Sequence, residues 1–176
     1  NQMAKSDHLL SILAATTRIG GGVQSAAELA MMMGVPCNHR FLKFLGDNVK
    51  AGRLRRLVKG YYESRLTPPE ADVAIYLLIR KLRRGFLNYV SLESQLSYSG
   101  EISQIVMDRV TVMTKGRSGC FETPYGVIEL THTKQPLERL ISNVYFDSEI
   151  SMYRATNDQA IADLKSVRRN LHMLEV

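Results

Sequence analysis

Residues 25–36, with the sequence SAAELAMMMGVP, decide the fold of the first part of the chain. Ser25 is followed three residues later by Glu28, the spacing of a capping box, which predicts that a helix begins after Ser25. Gly34 stands where a helix C-cap prefers glycine, and Pro36 cannot continue a helix. The stretch therefore predicts a short helix that ends in a tight turn.

A helix is predicted on each side of this stretch. Upstream, Ser6 is the predicted N-cap of a helix that ends at the triple glycine 20–22. Downstream, a longer helix begins near Cys37 or Asn38 and runs to about Ala51, and two β-prone runs then flank the turn at residues 59–60. Two helices joined by a tight turn and followed by a hairpin are typical of a winged helix-turn-helix, a DNA-binding module.

The charge of the chain is unevenly distributed. The 176 residues include 23 Lys or Arg and 17 Asp or Glu, a net charge of +6. Residues 1–66 hold ten of the cations and four of the anions, whereas residues 67–176 hold thirteen of each. A basic module beside a neutral remainder predicts a head that binds a polyanion and a second domain with a different task.

The third predicted helix offers candidate contacts to DNA bases. Helical periodicity predicts a buried side formed by four apolar residues, with Phe44 at its margin: Phe41, Leu42, Leu45 and Val49. A recognition helix reads base edges mainly with its N-terminal residues, so we expect three side chains to face the major groove: His39, Arg40 and Lys43. Arginine and lysine donate hydrogen bonds to guanine O6 and N7. Asn38 either reads adenine or caps the helix.

The predicted hairpin and the preceding helix complete the set of candidate DNA contacts. Four cations of the hairpin are expected to contact phosphates or enter the adjacent minor groove: Arg53, Arg55, Arg56 and Lys59. Ser25 is also included among the predicted DNA contacts. The neighbouring run of residues 31–33, three methionines, is predicted to fill the core, and Cys37 is predicted to be buried or half-buried.

A second domain is predicted for residues 67–176, after a first domain of residues 1–66. Thr67 and Glu70 have the spacing of another capping box, ahead of a helix predicted over about residues 69–84. Further helices are predicted to begin after Ser91 and after Thr156, the last running to about Leu171. Strands are predicted over residues 86–90, 109–114, 120–123 and 127–133, with two more within 142–153. The predicted fold class is α+β, with an antiparallel sheet and flanking helices in the second domain.

Residues 89–100, YVSLESQLSYSG, resemble a segment of AbiEi-type antitoxins that reads Tyr-x-Ser-Leu-Glu-Ser-Ala-Leu-Ser-Tyr-x-Gly. Three further stretches follow in the order of that family: residues 110–115, 121–126 and 154–164. The resemblance covers roughly residues 6–165, including the N-terminal winged helix. The chain departs from the family pattern at residues 157–159, where Asn-Asp-Gln replaces the usual Pro-Glu-Lys.

The resemblance implies a function. AbiEi-type proteins are antitoxins of type IV toxin–antitoxin systems that repress their own operon by binding double-stranded DNA, typically at inverted repeats. It implies a nucleotidyltransferase-like toxin as functional partner, neutralised without a need for direct contact, and DNA binding as a homodimer or as two adjacent monomers. Two alternatives are left open: a stand-alone regulator without a toxin, and an adaptor whose winged helix binds a protein.

No pattern typical of catalysis stands out. The four histidines are scattered, Cys37 and Cys120 lack the spacing of a zinc site, and the triple glycine lacks the Lys-Ser/Thr of a phosphate loop. A nuclease would need clustered carboxylates to hold a metal ion. Asp108, Glu122 and Glu129 lie on or near adjacent predicted strands and could converge there, but carboxylates exposed on the surface of a sheet are the commoner explanation. We therefore expect no enzymatic activity, no cofactor and no bound metal.

The expected location is the cytoplasm. The longest apolar run, residues 73–79, is too short to cross a bilayer, and no secretory leader opens the sequence. Two cysteines do not make a disulfide framework, which fits a reducing compartment.

Overall fold

The computed structural model describes residues 1–102 and 108–168. The chain divides into two compact units, Asn1–Leu78 and Ile79–Val176. The division falls inside a helix, Ala71–Leu82, later in the chain than the boundary predicted between residues 66 and 67.

The first unit combines helices with a small antiparallel sheet. In chain order its elements are α1 (Gln2–Arg18), β1 (Gln24–Ser25), α2 (Ala26–Met33), α3 (His39–Lys50), β2 (Leu54–Val58) and β3 (Tyr61–Ser64). The strands lie in the order β1-β3-β2, with both pairings antiparallel. Helix α4 (Ala71–Leu82) follows and contains the division between the units.

Local chemistry places the ends of α2 and α3 where the sequence predicts them. The Ser25 hydroxyl accepts a hydrogen bond from the Glu28 amide at 3.0 Å, and the Glu28 carboxylate accepts one from the Ser25 amide at 2.9 Å. Gly34 ends α2 in the left-handed conformation, with φ of 69°. The Asn38 side chain caps α3 by accepting from the Phe41 amide at 3.0 Å. The capping box, the glycine stop and the start of α3 are confirmed.

Two predicted N-caps in this unit are wrong. Helix α1 begins at Gln2 because Asn1 accepts hydrogen bonds from the amides of Met3 and Ala4, and Ser6 is buried inside the helix. Helix α4 begins at Ala71 rather than at residue 69, without the box predicted for Thr67. Within the described residues, the Thr67 hydroxyl is buried and has no hydrogen-bond partner.

The core of the first unit is formed by α1, α2, α3 and the sheet. Its largest fully buried side chains are Leu9, Leu13, Leu29, Leu45 and Leu54. Phe41 and Phe44 pack beside them, with ring centroids 6.0 Å apart.

The buried stripe of α3 differs from the predicted one. It consists of Phe41, Phe44, Leu45 and Asn48, the positions i, i+3, i+4 and i+7. Asn48 is accommodated because its amide donates to the carbonyl of Phe44 at 2.9 Å. The stripe is therefore rotated, and Leu42, predicted to be buried, is 46% exposed.

Two further burial predictions in the turn region are wrong. Met31 is 71% exposed and Met32 is 36% exposed, and only Met33 packs partly against the core. An eight-residue helix buries one stripe, and Leu29 and Ala30 already supply it for α2. Cys37 is also exposed, since it lies in the turn before the cap of α3.

The second unit is built around a sheet. Its elements are β4 (Asn88–Val90), α5 (Leu92–Ser99), β5 (Arg109–Thr114), β6 (Gly119–Thr123), β7 (Gly126–His132), α6 (Leu137–Ile141), β8 (Val144–Asp147), β9 (Met152–Ala155) and α7 (Asn157–Val167). Among the described residues, six strands pair in the order β6-β7-β5-β4-β9-β8. Helices α5 and α7 contribute Leu92, Leu96 and Leu164 to a buried cluster with Tyr89.

The predicted antiparallel sheet is mixed. Strand β5 pairs with β7 in parallel, and β4 pairs with β9 in parallel, while the remaining pairings are antiparallel. The cause is the position of two hairpins. In the hairpins β6–β7 and β8–β9, the second strand lies on the inner side, so that β7 pairs with β5 and β9 pairs with β4. Each of these second strands runs in the same direction as the strand with which it pairs. The α+β class is confirmed.

The last helix begins as predicted. The Thr156 hydroxyl accepts from the Gln159 amide at 3.3 Å. Helix α7 ends at Val167, with Arg168 in the left-handed conformation, so it stops before the predicted end at Leu171, which lies outside the described residues. No helix in the described part of the chain is long and apolar enough to cross a bilayer.

Candidate nucleic-acid interface

One face of α3 is free and carries polar and charged side chains. Burial of the stripe that begins at Phe41 turns the opposite side outward. All three residues predicted to face the major groove, His39, Arg40 and Lys43, are exposed, as are Asp47 and Lys50. The structure therefore brings these predicted contacts onto one accessible helix surface.

The anion on this face is weakly held. Lys43 Nζ lies 3.2 Å from the Asp47 carboxylate one turn later, with side chains 72% and 47% exposed. Exposed pairs of this spacing contribute about 0.3–0.5 kcal/mol. A phosphate or a base edge can therefore replace Asp47 as the partner of Lys43 at little cost.

A cleft connects this face to the start of α1. Its volume is about 380 Å³, and its lining includes three cations and one carboxylate: Lys5, Arg40, Lys43 and Asp47. Lys5 Nζ lies 5.4 Å from the centroid of the Phe44 ring, which supports its position at the cleft. Three cations around an open cleft suit a phosphate group. Sequence reasoning missed Lys5, because only tertiary packing brings the start of α1 beside α3.

The structure places the four hairpin cations in three different surroundings. Arg56 and Lys59 are exposed. Arg53 is half-buried and lies 3.4 Å from the side-chain oxygen of Asn48. Arg55 donates two hydrogen bonds to one oxygen of Glu63, at 3.1 and 2.8 Å, and Glu63 is only 1% exposed. Arg56 and Lys59 are thus available to a phosphate, whereas Arg55 compensates a buried carboxylate.

We expect Arg55→Ala to lower the free energy of unfolding by about 1–3 kcal/mol, because it removes two charge-assisted hydrogen bonds from a buried carboxylate. Urea unfolding followed by circular dichroism measures this loss. Arg56→Ala is the matched control on the same strand, and it should change stability by less than about 0.5 kcal/mol. Equal stability of the two variants would contradict the assigned role of Arg55.

Ser25 and Asn38 serve as helix caps. Each uses its side-chain oxygen to accept a backbone amide hydrogen bond at the start of a helix. Of the two roles left open for Asn38, the cap is the one its geometry supplies. Both residues therefore position α2 and α3, and with them the exposed face.

The second unit contains a buried polar cluster centred on Asp163. One carboxylate oxygen accepts hydrogen bonds from Tyr89 at 3.0 Å and Ser91 at 2.6 Å. The other accepts from Gln135 at 3.1 Å and Gln159 at 2.8 Å. Burial raises the pKa of Asp163, and these four donors oppose that rise. Burial and the neighbouring carboxylate also raise the pKa of Tyr89, so its hydroxyl stays a donor.

This cluster corrects the role predicted for Ser91. Its side chain makes no capping hydrogen bond to α5, since its hydroxyl points to Asp163 instead. Ser94, in the first turns of α5, accepts a hydrogen bond from the Thr111 amide at 2.9 Å. Ser91 and Ser94 therefore tie the start of α5 to α7 and to β5.

A second polar cluster surrounds Arg154. Its guanidinium donates to Asp147 at 2.8 Å and to Gln95 at 3.1 Å, and it lies 3.7 Å from the centroid of the Tyr98 ring. Gln95 also donates to the Tyr145 hydroxyl at 3.0 Å. The hydrogen bond from Arg154 lowers the pKa of Asp147. Residues 89–100 thus hold the second unit together through both clusters.

The lowered pKa of Asp147 predicts an acid-dependent contribution to stability. Because the folded-state pKa lies below the unfolded value, this contribution is present above the unfolded pKa, about 3.9, and is lost as the pH falls through the folded pKa. We expect Asp147→Asn to reduce the free energy of unfolding by about 1–3 kcal/mol at neutral pH and progressively less below about pH 4. Urea unfolding of both proteins across this pH range measures the difference. A pH-independent difference would contradict the ion pair.

The structure does not gather the strand carboxylates Asp108, Glu122 and Glu129 into a metal site among the described residues. Glu129 forms an ion pair with Arg109 at 2.6 Å. In the described part of the chain, no group of three or more His, Cys, Asp or Glu side chains could hold a metal ion. Cys37 and Cys120 are both free and exposed.

No family model matches this chain, and no curated protein is significantly similar to it.

Proposed function

We propose that the first unit is a winged helix-turn-helix that binds double-stranded DNA. The observation that carries the proposal is the position of the positive charge. The segment with the whole excess of cations presents Arg40, Lys43 and Lys50 on one free helix face, and Arg56 and Lys59 on the hairpin. The element order, with a tight turn between α2 and α3 and a hairpin after α3, suits this module.

In the proposed complex, α3 enters the major groove. His39, Arg40 and Lys43 lie in its first two turns, where they reach base edges. Arg56 and Lys59 on the hairpin contact phosphates or the adjacent minor groove. Lys5, at the cleft beside Arg40, adds a phosphate contact from α1.

The biological role that we propose is that of an antitoxin and autorepressor of a type IV toxin–antitoxin operon. The support is the resemblance of residues 89–100 to AbiEi-type antitoxins, together with the contacts that these residues make to Asp163 and Arg154. The partner is a nucleotidyltransferase-like toxin. Binding by a homodimer or by two adjacent monomers predicts inverted repeats with half-sites about one or two helical turns apart.

Fluorescence anisotropy with the duplex upstream of the protein's own gene, against a shuffled duplex, tests DNA binding. We expect a preference for the upstream duplex and an affinity that falls linearly with salt on logarithmic axes between about 50 and 200 mM. Equal binding of both duplexes would contradict autorepression. No binding even at low salt would contradict the DNA-binding function and favour a protein-binding adaptor.

The antitoxin role requires a nucleotidyltransferase-like gene beside the protein's own gene. Where that gene is present, co-expression with it from an independent promoter tests the role. We expect the wild-type protein to restore growth, and Arg40→Ala to restore it equally while losing repression of a promoter reporter. The absence of growth rescue by a well-expressed protein would leave a stand-alone regulator as the function.

A further inference from the structure

The free face of α3 contains one apolar side chain, Leu42, whose exposure is not explained by packing in the core. Leu42 is 46% exposed, although its neighbours on this face are polar or charged. Gly46 lies one helical turn later, so residues 42 and 46 are neighbours on the helix surface. The two form a small apolar surface, which we call the Leu42–Gly46 shelf.

Gly46 is not required by the fold. It lies in the middle of α3 and is not among the glycines with positive φ. A Cβ atom built on it would meet nothing within 4 Å. Glycine inside a helix destabilises the helix relative to alanine. Gly46 therefore lowers the stability of α3 without relieving a steric clash inside the protein. Gly46 is half-buried, and with no side chain at this position of the helix surface another molecule can approach the backbone closely.

The charges around the shelf indicate which molecule approaches. His39, Lys43 and Lys50 share this side of α3 with one anion, Asp47, and Arg40 flanks it. Asp47 is held only by the exposed ion pair with Lys43, so cations predominate around the shelf. Charged residues are depleted from the centre of protein–protein interfaces, whereas cations beside a small apolar contact suit the major groove. In that groove thymine presents a C5-methyl group, and apolar side chains recognise it by contact.

We propose that the Leu42–Gly46 shelf reads a thymine: the leucine side chain covers the C5-methyl group, and the glycine allows α3 to lie close enough for this contact. This inference rests on the proposed DNA-binding function and adds to it a base that the protein selects. It assigns sequence preference to apolar contact as well as to Arg40.

Deoxyuridine substitution tests the contact, because deoxyuridine differs from thymidine only by lacking the methyl group. Each thymine of the preferred upstream duplex is replaced singly, and binding is measured by anisotropy. We expect the wild type to lose about fourfold in affinity at one position, the value of one buried methyl-sized group. Leu42→Ala should bind the thymine duplex and the uracil-substituted duplex equally, with the affinity that the wild type has for the uracil-substituted duplex. Ile19→Ala, which truncates an 87% exposed residue outside α3, is the matched control and should keep the wild-type discrimination.

Gly46→Ala provides an independent test with opposite effects on stability and binding. We expect its thermal midpoint to rise by about 2–6 °C, while its affinity for the thymine duplex falls severalfold. A stabilised variant with unchanged affinity would overturn the close approach at Gly46. The methyl contact is overturned if the wild type binds every uracil duplex equally well, or if Leu42→Ala keeps the wild-type discrimination. Failure of the wild type to bind its upstream duplex would overturn the proposed function itself.

Discussion

Asp163→Ala is expected to lower the free energy of unfolding by about 3–5 kcal/mol, because each buried donor left without an acceptor costs about 1–3 kcal/mol. The carboxylate is fully buried and accepts four hydrogen bonds. Its removal leaves Tyr89, Ser91 and Gln159, all buried, without the acceptor that compensates their desolvation. Thermal and urea unfolding followed by circular dichroism measure this loss.

Two further variants show that this loss comes from the polar cluster. Asp163→Asn keeps the size of the side chain and one acceptor oxygen, and the hydroxyls of Tyr89 and Ser91 can accept from its amide, so a smaller loss is expected. Asp158→Ala truncates an exposed aspartate of the same helix and should change stability by less than about 0.5 kcal/mol. An Asp163→Ala protein as stable as Asp158→Ala would contradict the role of the cluster.

Arg40→Ala is expected to weaken binding to the preferred duplex by about 1–3 kcal/mol, or about 5- to 150-fold, with little effect on a shuffled duplex. The physical reason is the loss of paired hydrogen bonds to a base edge, which carry sequence information. Anisotropy with both duplexes measures the loss of preference. Unchanged preference would contradict the placement of Arg40 in the groove.

Arg56→Ala is the comparison for Arg40→Ala, because phosphate contacts carry no sequence information. It should weaken binding to both duplexes alike and reduce the slope of log affinity against log salt by about one. Arg55→Ala is unsuitable for this purpose, since Arg55 compensates the buried Glu63 and its loss also destabilises the fold. A change of preference in Arg56→Ala would contradict its assignment to the phosphate backbone.

The elements that the sequence predicts well are those fixed by local chemistry. The reciprocal hydrogen bonds of Ser25 and Glu28, the glycine stop at Gly34 and the Thr156 cap depend on neighbours within a few residues. The hairpin turn follows in the same way, because Gly60 adopts φ of 86°. Such features need no knowledge of the rest of the fold.

The predictions that are wrong concern features that depend on residues far apart in the sequence. Ser91 is a residue type that caps helices, but its hydroxyl donates to Asp163, seventy-two positions later in the chain. The parallel pairings of β5 with β7 and of β4 with β9 depend on which strand of each hairpin lies inward. Periodicity predicts a buried Leu42, because it does not reveal that Asn48 can be buried by donating to the Phe44 carbonyl.

The candidate interface was predictable in part. The position of His39, Arg40 and Lys43 in the first turns of a helix follows from the cap at Asn38 and the spacing of the apolar residues. The contribution of Lys5 to the cleft and the pairing of Arg55 with Glu63 both require the tertiary structure.

The central claim, that α3 enters the major groove, is tested most directly by cleaving DNA from the helix itself. Cys37 is exposed and precedes the Asn38 cap, so a Cys120→Ser protein can carry an iron–chelate cleavage reagent beside the start of α3. We predict strand scission confined to one short cluster of nucleotides inside each half-site of the preferred duplex, and none on the shuffled duplex. A labelled protein that still binds its preferred duplex specifically but leaves it uncut would contradict the claim.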